Sequence, residues 1–158
     1  MTEIKYIKGD ATQPIGGGKK LLIHCCNSIG AWGSGFVIAI SRRWKAPEVQ
    51  YKKWSRGHIK GLTFALGAVQ FVKVEDDIVI GNMIGQEGIK RKGGTPPIRY
   101  SAIVECFEKV KKAALSNEAS VHAPKFGSDR AGGSWDIIEG HIKDILCEND
   151  IEVTIYEL

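Results

Sequence analysis

The sequence predicts an α/β fold, because segments with strand periodicity and segments with helical periodicity follow each other along the whole chain. The clearest evidence is the stretch 21–40, in which an apolar run passes through a glycine-rich loop into a second apolar run. This order is typical of a buried strand followed by a buried helix. A second strand, glycine loop and helix follow in the same order at 120–145.

The individual elements are predicted from these patterns. Strands are expected at 3–7, 20–26, 68–72, 77–84, 120–124 and 151–155. Helices are expected at 34–44, from Pro47 onward, at 99–114 and from Ser134 onward. Pro47 suits a first helical turn, and Ser134 suits an N-cap. The segment 77–84 is almost continuously apolar, which predicts a central place in the sheet.

Composition predicts one globular domain that covers residues 1–158. Apolar residues make up 43% of the chain and charged residues 25%, as in ordinary globular proteins. The net charge of +4 favours anionic ligands weakly and is far from the dense basic surface of a duplex-binding protein. Neither a membrane span nor a signal sequence is expected from the residue pattern. We therefore expect a cytoplasmic protein, and we expect a monomer.

The cysteines are expected to be structural. All four, Cys25, Cys26, Cys106 and Cys147, fall inside predicted strands and helices. They show no C-x-x-C spacing and no nearby histidine pair, so a zinc site is not predicted. Buried, reduced thiols are the expected state in a cytosolic protein. No metal and no cofactor is therefore expected.

Two glycine-rich segments define the predicted ligand site: the first glycine loop, 28–35, and the second glycine loop, 125–134. Each follows a predicted strand and precedes a predicted helix. In open α/β sheets ligands bind beyond the carboxyl ends of the strands, and a helix N-terminus attracts an anion such as phosphate. Two such loops facing each other would form a cleft for a diphosphate. Neither a P-loop motif nor a G-x-G-x-x-G dinucleotide motif is present.

Several residues near these loops have two open interpretations. His24 fits an acid/base group, since its unperturbed pKa lies near neutrality, and it also fits a buried, hydrogen-bonded strand histidine. Asp129 could orient a water molecule or cap its own turn. Asp10 could accept hydrogen bonds from a base amine or cap local N–H groups. The basic loop 85–97 either closes over a ligand or is disordered.

Four motifs carry a family resemblance: 9–12, 24–27, 30–35 and 124–135. In this order and spacing they resemble a macro domain. The resemblance is strongest to the yeast-type ADP-ribose 1″-phosphate phosphatases and the terminal ADP-ribose protein glycohydrolases. Similar small proteins occur in bacteria and their phages. The resemblance extends over nearly the whole chain, from Lys5 to Tyr156.

The resemblance implies a three-layer α/β/α fold with a mixed, mostly parallel central sheet, and it implies ADP-ribose or ADP-ribose 1″-phosphate as ligand. Asp10 would hold the adenine amine, Ala11 would offer its backbone N–H, and Asn27 would contact the distal ribose. Both glycine loops would surround the diphosphate. The positions that would contact the ligand are Asp10, Ala11, Asn27, Ala31, Trp32, Gly33, Ser34, Gly35, Phe36, Phe126, Gly127, Ser128, Asp129, Arg130, Ala131 and Gly132.

One departure from the family pattern bears on the reaction. The glycohydrolase branch uses a lysine after the central strand, where this chain has Gly85 and Gln86, and an aspartate at the position of Ala131. The expected function is therefore hydrolysis of ADP-ribose 1″-phosphate to ADP-ribose and phosphate, with His24, Asn27 and Asp129 as the catalytic residues. The alternatives are an ADP-ribosyl hydrolase acting on protein or nucleic acid and a non-catalytic ADP-ribose reader. Nucleic acid is not expected as a partner except as such a modified substrate.

Overall fold

The computed structural model describes residues 1–127 and 131–158. Six strands in this part of the chain form one sheet. The strands are β1 (Lys5–Lys8), β2 (Lys20–Asn27), β3 (Val69–Glu75), β4 (Ile78–Gln86), β5 (Ser120–Pro124) and β6 (Val153–Glu157). The helices are α1 (Phe36–Arg43), α2 (Ala46–Ser55), α3 (Tyr100–Asn117) and α4 (Trp135–Ile145), followed by a short 3₁₀ turn, Cys147–Asn149.

The strand order across the sheet is β1-β6-β5-β2-β4-β3. Every neighbouring pair is parallel except β3 and β4, which form an antiparallel pair at one edge. The sheet is therefore mixed and mostly parallel, as expected. Its parallel strands all end at the same edge, which we call the carboxyl edge, and the loops that leave them meet there.

Two apolar cores lie on opposite faces of the sheet. Residues Leu21 and Ile23 of β2 face one core, together with buried residues of α3 and α4. Residues Leu22 and Cys26 face the other core, together with buried residues of α1 and α2. Successive strand residues point to opposite faces, so one strand supplies both cores. The three-layer α/β/α arrangement is confirmed.

The predicted elements are present, with shifted ends that have local causes. Helix α1 begins two residues later than expected, because Gly35 has φ 86° and ψ −151°, a conformation that is not helical. Strand β6 begins at Val153, because the Ile151 N–H bonds to the Leu146 carbonyl. Ser134 lies at the N-cap of α4, as predicted, but its side chain makes no capping hydrogen bond.

Three further properties follow from the described residues. No helix among them is long and apolar enough to cross a membrane. Residues 1–127 and 131–158 contain no group of three His, Cys, Asp or Glu residues placed to hold a metal ion. The four cysteines are free thiols, and three of them are buried while Cys25 is partly exposed.

Candidate functional site

A cleft of about 420 Å³ lies at the carboxyl edge of the sheet, beyond the ends of β2, β4 and β5. Both glycine loops and the loop that follows β4 line it, and so does the first turn of α1. The lining residues are His24, Cys25, Cys26, Asn27, Ala31, Gly33, Ser34, Gly35, Phe36, Val37, Gln86, Ile89, Pro124, Lys125, Phe126, Gly127 and Ala131. The two glycine loops therefore face one cleft, as the sequence predicted.

The first glycine loop is held in shape by the Asn27 side chain. Asn27 Oδ1 accepts hydrogen bonds from the backbone N–H groups of Ile29 (3.1 Å) and Ala31 (3.0 Å). Asn27 Nδ2 donates to the Ala31 carbonyl at 2.8 Å. The buried Tyr51 hydroxyl donates to both the carbonyl and Oδ1 of Asn27, at 2.6 Å and 3.0 Å. Asn27 is thus a structural part of this loop.

The end of the first glycine loop places backbone N–H groups at the cleft. Gly35 has φ 86° and ψ −151°, which only glycine adopts readily. It turns the chain directly into α1, where the Ile38 N–H bonds the Gly35 carbonyl at 3.1 Å, so the N–H groups of Phe36 and Val37 precede the first hydrogen bond of the helix. These N–H groups carry partial positive charge and lie at the wall of the cleft, beside Gly33 and Ser34. The arrangement suits a phosphate.

The second glycine loop is shaped by close backbone packing. The Gly133 N–H donates to the Gly127 carbonyl at 2.8 Å. A Cβ on Gly133 would lie 2.4 Å from that carbonyl oxygen, so the loop closes only with glycine there. The Tyr100 hydroxyl accepts a hydrogen bond from the Ser134 N–H at 2.7 Å. Ser128, Asp129 and Arg130, which the sequence assigned to the site, lie outside the described residues.

The loop after β4 joins the two glycine loops. Its Gly88 N–H donates to Ser28 Oγ in the first glycine loop, at 3.0 Å. Its Ile98 N–H donates to the Ala131 carbonyl in the second glycine loop, at 3.1 Å. The Arg99 guanidinium bonds Glu87 at 3.1 Å and closes the base of the loop. Of the two interpretations of 85–97, the structure therefore favours an ordered loop beside the cleft.

His24 lies at the base of the cleft and is almost completely buried, at 1% exposure. Its Nε2 lies 2.6 Å from Asn82 Oδ1. Because Asn82 Nδ2 donates to Gln70 Oε1, Asn82 Oδ1 is the acceptor and His24 Nε2 carries the proton. Burial lowers the pKa of His24 to about 4, although this hydrogen bond opposes the shift. A neutral histidine whose N–H points to Asn82 fits the structural interpretation better than the acid/base one.

The thiols at the cleft are protonated. Burial raises the pKa of Cys25 to about 12, and it raises the pKa of Cys26 well above its ordinary value. A thiol with a raised pKa is a poor nucleophile at neutral pH, because the thiolate is the reactive form. Cys25 and Cys26 therefore supply wall and packing surface.

The predicted adenine end lies at the same edge, away from the cleft walls. Asp10 follows β1, and its Oδ1 accepts hydrogen bonds from the Thr12 N–H (2.9 Å) and the Thr12 hydroxyl (2.8 Å). The turn-capping interpretation of Asp10 is thus present in the structure. Ala11 is buried, and neither residue lines the cleft.

The structure brings most of the sequence-predicted positions to one cleft and leaves some outside it. Trp32 is 6% exposed and lies beneath the first glycine loop, where its Nε1 donates to Ser41 Oγ at 2.7 Å. Gly132 does not line the cleft either; it packs beside Pro96 and Arg91. The lining residues that the sequence did not assign to the site are Cys25, Cys26, Val37, Gln86, Ile89, Pro124 and Lys125. Except for Val37 in α1 and Ile89 in the loop after β4, their position at or next to the end of a strand is the signal that could have found them.

Solved structures of similar proteins match almost the whole chain. A protein of unknown function from Bacteroides thetaiotaomicron is 49% identical, with a TM-score of 0.95, and the match covers 99% of this chain and 98% of that chain. A macrodomain protein from Streptomyces coelicolor is 46% identical, with a TM-score of 0.87, and the match covers 99% of each chain.

Curated sequences point to the same family. An ADP-ribose 1″-phosphate phosphatase of Candida albicans is 31% identical over 149 residues, which are 89% of this chain and 92% of that protein. The chain spans 16% and 18% of the length of two other relatives, chromodomain-helicase-DNA-binding protein 1-like of Danio rerio and of Mus musculus. No family model matches the chain. On these similarities the chain belongs to the macrodomain family.

Proposed function

We propose that this protein binds ADP-ribose 1″-phosphate in the cleft and hydrolyses it to ADP-ribose and phosphate. The observation that carries the proposal is the meeting of the α1 N-terminus and the second glycine loop at one cleft. This arrangement offers backbone N–H groups to a diphosphate. The kinship with a protein named for this phosphatase activity supports the choice of substrate.

The strand order gives the ligand a direction along the carboxyl edge. Asp10 follows β1, the diphosphate site lies over β5 and β2, and Gln86 ends β4. Because neighbouring strands are about 4.8 Å apart, β1 and β4 are separated by about 19 Å. We place the adenine near Asp10, the diphosphate against Gly33–Phe36, and the terminal ribose with its 1″-phosphate between Asn27 and Gln86.

The proposed chemistry is attack by a water molecule, assisted by charge stabilisation. His24 is neutral, and its N–H is bound to Asn82, so we assign it to packing beneath the site and not to proton transfer. Asn27 holds the first glycine loop in the shape that presents its N–H groups. N–H groups aimed at a developing negative charge are an effective source of catalysis. Asp129 is proposed as the group that orients the water.

The binding part of the proposal is tested with a charge placed at the diphosphate site. Ser34 is exposed and lines the cleft. Ser34→Glu should lower ADP-ribose affinity by roughly tenfold or more, because a carboxylate would lie against the diphosphate. Ser34→Gln is the matched control, since it has the same size and also lacks the hydroxyl, and its loss should be much smaller. Calorimetric titration with ADP-ribose measures both, and equal losses would contradict the proposed site.

The hydrolytic part is tested by phosphate release from ADP-ribose 1″-phosphate. The wild-type protein should release phosphate, and Asp129→Ala should release much less while still binding ADP-ribose. His24→Gln, if it folds, should keep most of the activity, because His24 is assigned a packing role. Absence of release by a wild-type protein that binds ADP-ribose would refute the phosphatase activity and leave the binding site intact.

A second function, removal of ADP-ribose from a modified macromolecule, is favoured by the open rim at the ribose end. Ile89 lines the cleft with 49% of its surface exposed. Ile29 is 59% exposed on the first glycine loop, which the Gly88–Ser28 hydrogen bond joins to the loop of Ile89. An open apolar rim leaves room for a group larger than phosphate. Loss of radiolabel from an ADP-ribosylated protein, measured beside phosphate release, would distinguish the two reactions.

A further inference from the structure

Strands β2 and β4 bring the polar side chains of His24, Asn27 and Gln86 to the cleft. Two of these are engaged elsewhere. His24 Nε2 bonds Asn82, and Asn27 Oδ1 already accepts hydrogen bonds from two backbone N–H groups and from the Tyr51 hydroxyl. Gln86 differs from Asn27, because its hydrogen bonding leaves one strong acceptor unused, and it differs from His24, whose second ring nitrogen, Nδ1, lies 3.8 Å from the buried Cys26 Sγ.

A β-bulge directs Gln86 to the cleft. In the β2–β4 ladder Cys26 pairs with Ile84 and Asn27 pairs with Gln86, so Gly85 is the extra residue. A Cβ on Gly85 would lie 2.4 Å from Ile103 Cδ1 and 2.7 Å from Cys25 Sγ. Gly85 therefore leaves room for the Ile103 and Cys25 side chains at the bulge, and such bulges re-aim the neighbouring side chain.

The orientation of the Gln86 amide is fixed by one hydrogen bond. Its Nε2 donates to the Gly88 carbonyl at 3.1 Å. Among residues 1–127 and 131–158, no group donates to its Oε1. Because a side-chain amide has its nitrogen and oxygen on opposite branches, anchoring Nε2 leaves Oε1 as an oriented acceptor at the end of β4.

The geometry points to Gln86 as the residue that recognises the terminal ribose: its Oε1 accepts a hydrogen bond from a ribose hydroxyl. This inference rests on the ligand direction of the proposed function, which places the terminal ribose between Asn27 and Gln86. A carbonyl oxygen accepts a hydrogen bond from a ribose hydroxyl, and it makes no such bond with a ligand that ends at the diphosphate. Gln86 therefore selects ADP-ribose over ADP. An amide cannot replace the amine of a lysine as a nucleophile, so the role of Gln86 is non-covalent.

The test compares ADP-ribose with ADP, which lacks the terminal ribose, as ligands of the full chain. Calorimetric titrations are made with the wild type and Gln86→Met. Methionine has nearly the same length and no strong acceptor, so ADP-ribose affinity should fall about fivefold, whereas ADP affinity should not change.

The outcomes separate this inference from the proposed function. Unchanged ADP-ribose affinity in Gln86→Met, or an equal loss for both nucleotides, would overturn the role of Gln86. A wild type that prefers ADP-ribose to ADP but releases no phosphate would refute the phosphatase activity while the affinity test of Gln86 stands. A wild type without this preference overturns the inference about Gln86.

Discussion

The two glycine loops face one cleft, but they are held by different means. The first glycine loop is fixed by a side chain, since Asn27 bonds the N–H groups of Ile29 and Ala31 and is itself bonded by Tyr51. The second glycine loop is fixed by the absence of side chains, since Gly127 and Gly133 approach too closely for a Cβ. Hydrogen bonds therefore determine the conformation of the first glycine loop, and steric packing determines that of the second.

This difference predicts how each loop should respond to substitution. Hydrogen bonds between neutral groups contribute about 1 kcal/mol each to stability, and several of them together hold the first glycine loop. A backbone clash has no alternative arrangement, because the carbonyl oxygen belongs to the chain that must close the turn. Each single substitution in the hydrogen bonds of the first glycine loop should therefore cause a small loss of stability. In the second glycine loop, a substitution at one position should be enough to disrupt the loop.

The largest expected effect concerns the buried histidines of the strands that lead into the loops, His24 in β2 and His122 in β5. Burial lowers the pKa of each to about 4. The unfolded chain therefore binds more protons than the folded chain between pH 6.5 and pH 4, and stability falls as the pH is lowered through this window. Each histidine should lower the free energy of unfolding by on the order of 3 kcal/mol at pH 4 relative to pH 7.

Urea denaturation at several pH values measures this dependence. His24→Gln and His122→Gln should each remove one part of the slope. A slope that stays the same in both buried-site variants would show that other groups cause it.

The next largest effect is expected for Gly133→Ala in the second glycine loop. Its Cβ would lie 2.4 Å from the Gly127 carbonyl oxygen, so we expect a loss of about 3 kcal/mol in unfolding free energy and weaker ADP-ribose binding. Gly140→Ala is the matched control, because nothing lies within 4 Å of its added Cβ in α4. That variant should be stabilised by about 0.5–1 kcal/mol. Equal effects of the two substitutions would contradict the packing argument.

The smallest effect is expected for Tyr51→Phe, which removes the hydroxyl bonded to Asn27 in the first glycine loop. The loss should be about 1 kcal/mol, because Asn27 Oδ1 keeps its two backbone donors. Tyr6→Phe is the control, since the Tyr6 hydroxyl is bonded to Glu139 at an exposed site. Thermal or urea denaturation compares the two. A loss above about 3 kcal/mol for Tyr51→Phe would show that the first loop depends on a single bond.

The fold was predictable from the sequence because the spacing of apolar residues within each segment determines whether that segment forms a strand or a helix. The apolar run 21–26 is buried on both faces, and the segment 77–84 became part of the strand beside it. Helix and strand periodicities reflect the burial of one side of each element, so they are visible without the tertiary structure. Element ends were less predictable. The start of α1 depends on the backbone angles of Gly35, which sequence letters do not specify.

The site was predictable in part. The glycine loops were recognisable because phosphate binding requires close backbone approach, and glycine permits it. The family resemblance placed Trp32 at the ligand, and the structure shows that its indole is 6% exposed and lies 5.4 Å from the His24 ring. Gln86 was noticed as a departure from a family pattern, but its orientation depends on the bulge at Gly85 and on a hydrogen bond to Gly88.

The sequence by itself determined the α/β class, the order of the elements and the position of the two glycine loops, because these follow from apolar spacing and glycine content. The tertiary structure decided which side chains are free to meet a ligand. His24 and Asn27 are polar residues of β2, yet His24 Nε2 is bound by Asn82 and Asn27 Oδ1 is bound by Tyr51. Those neighbours come from distant parts of the chain, so no pattern in the local sequence indicates these hydrogen bonds.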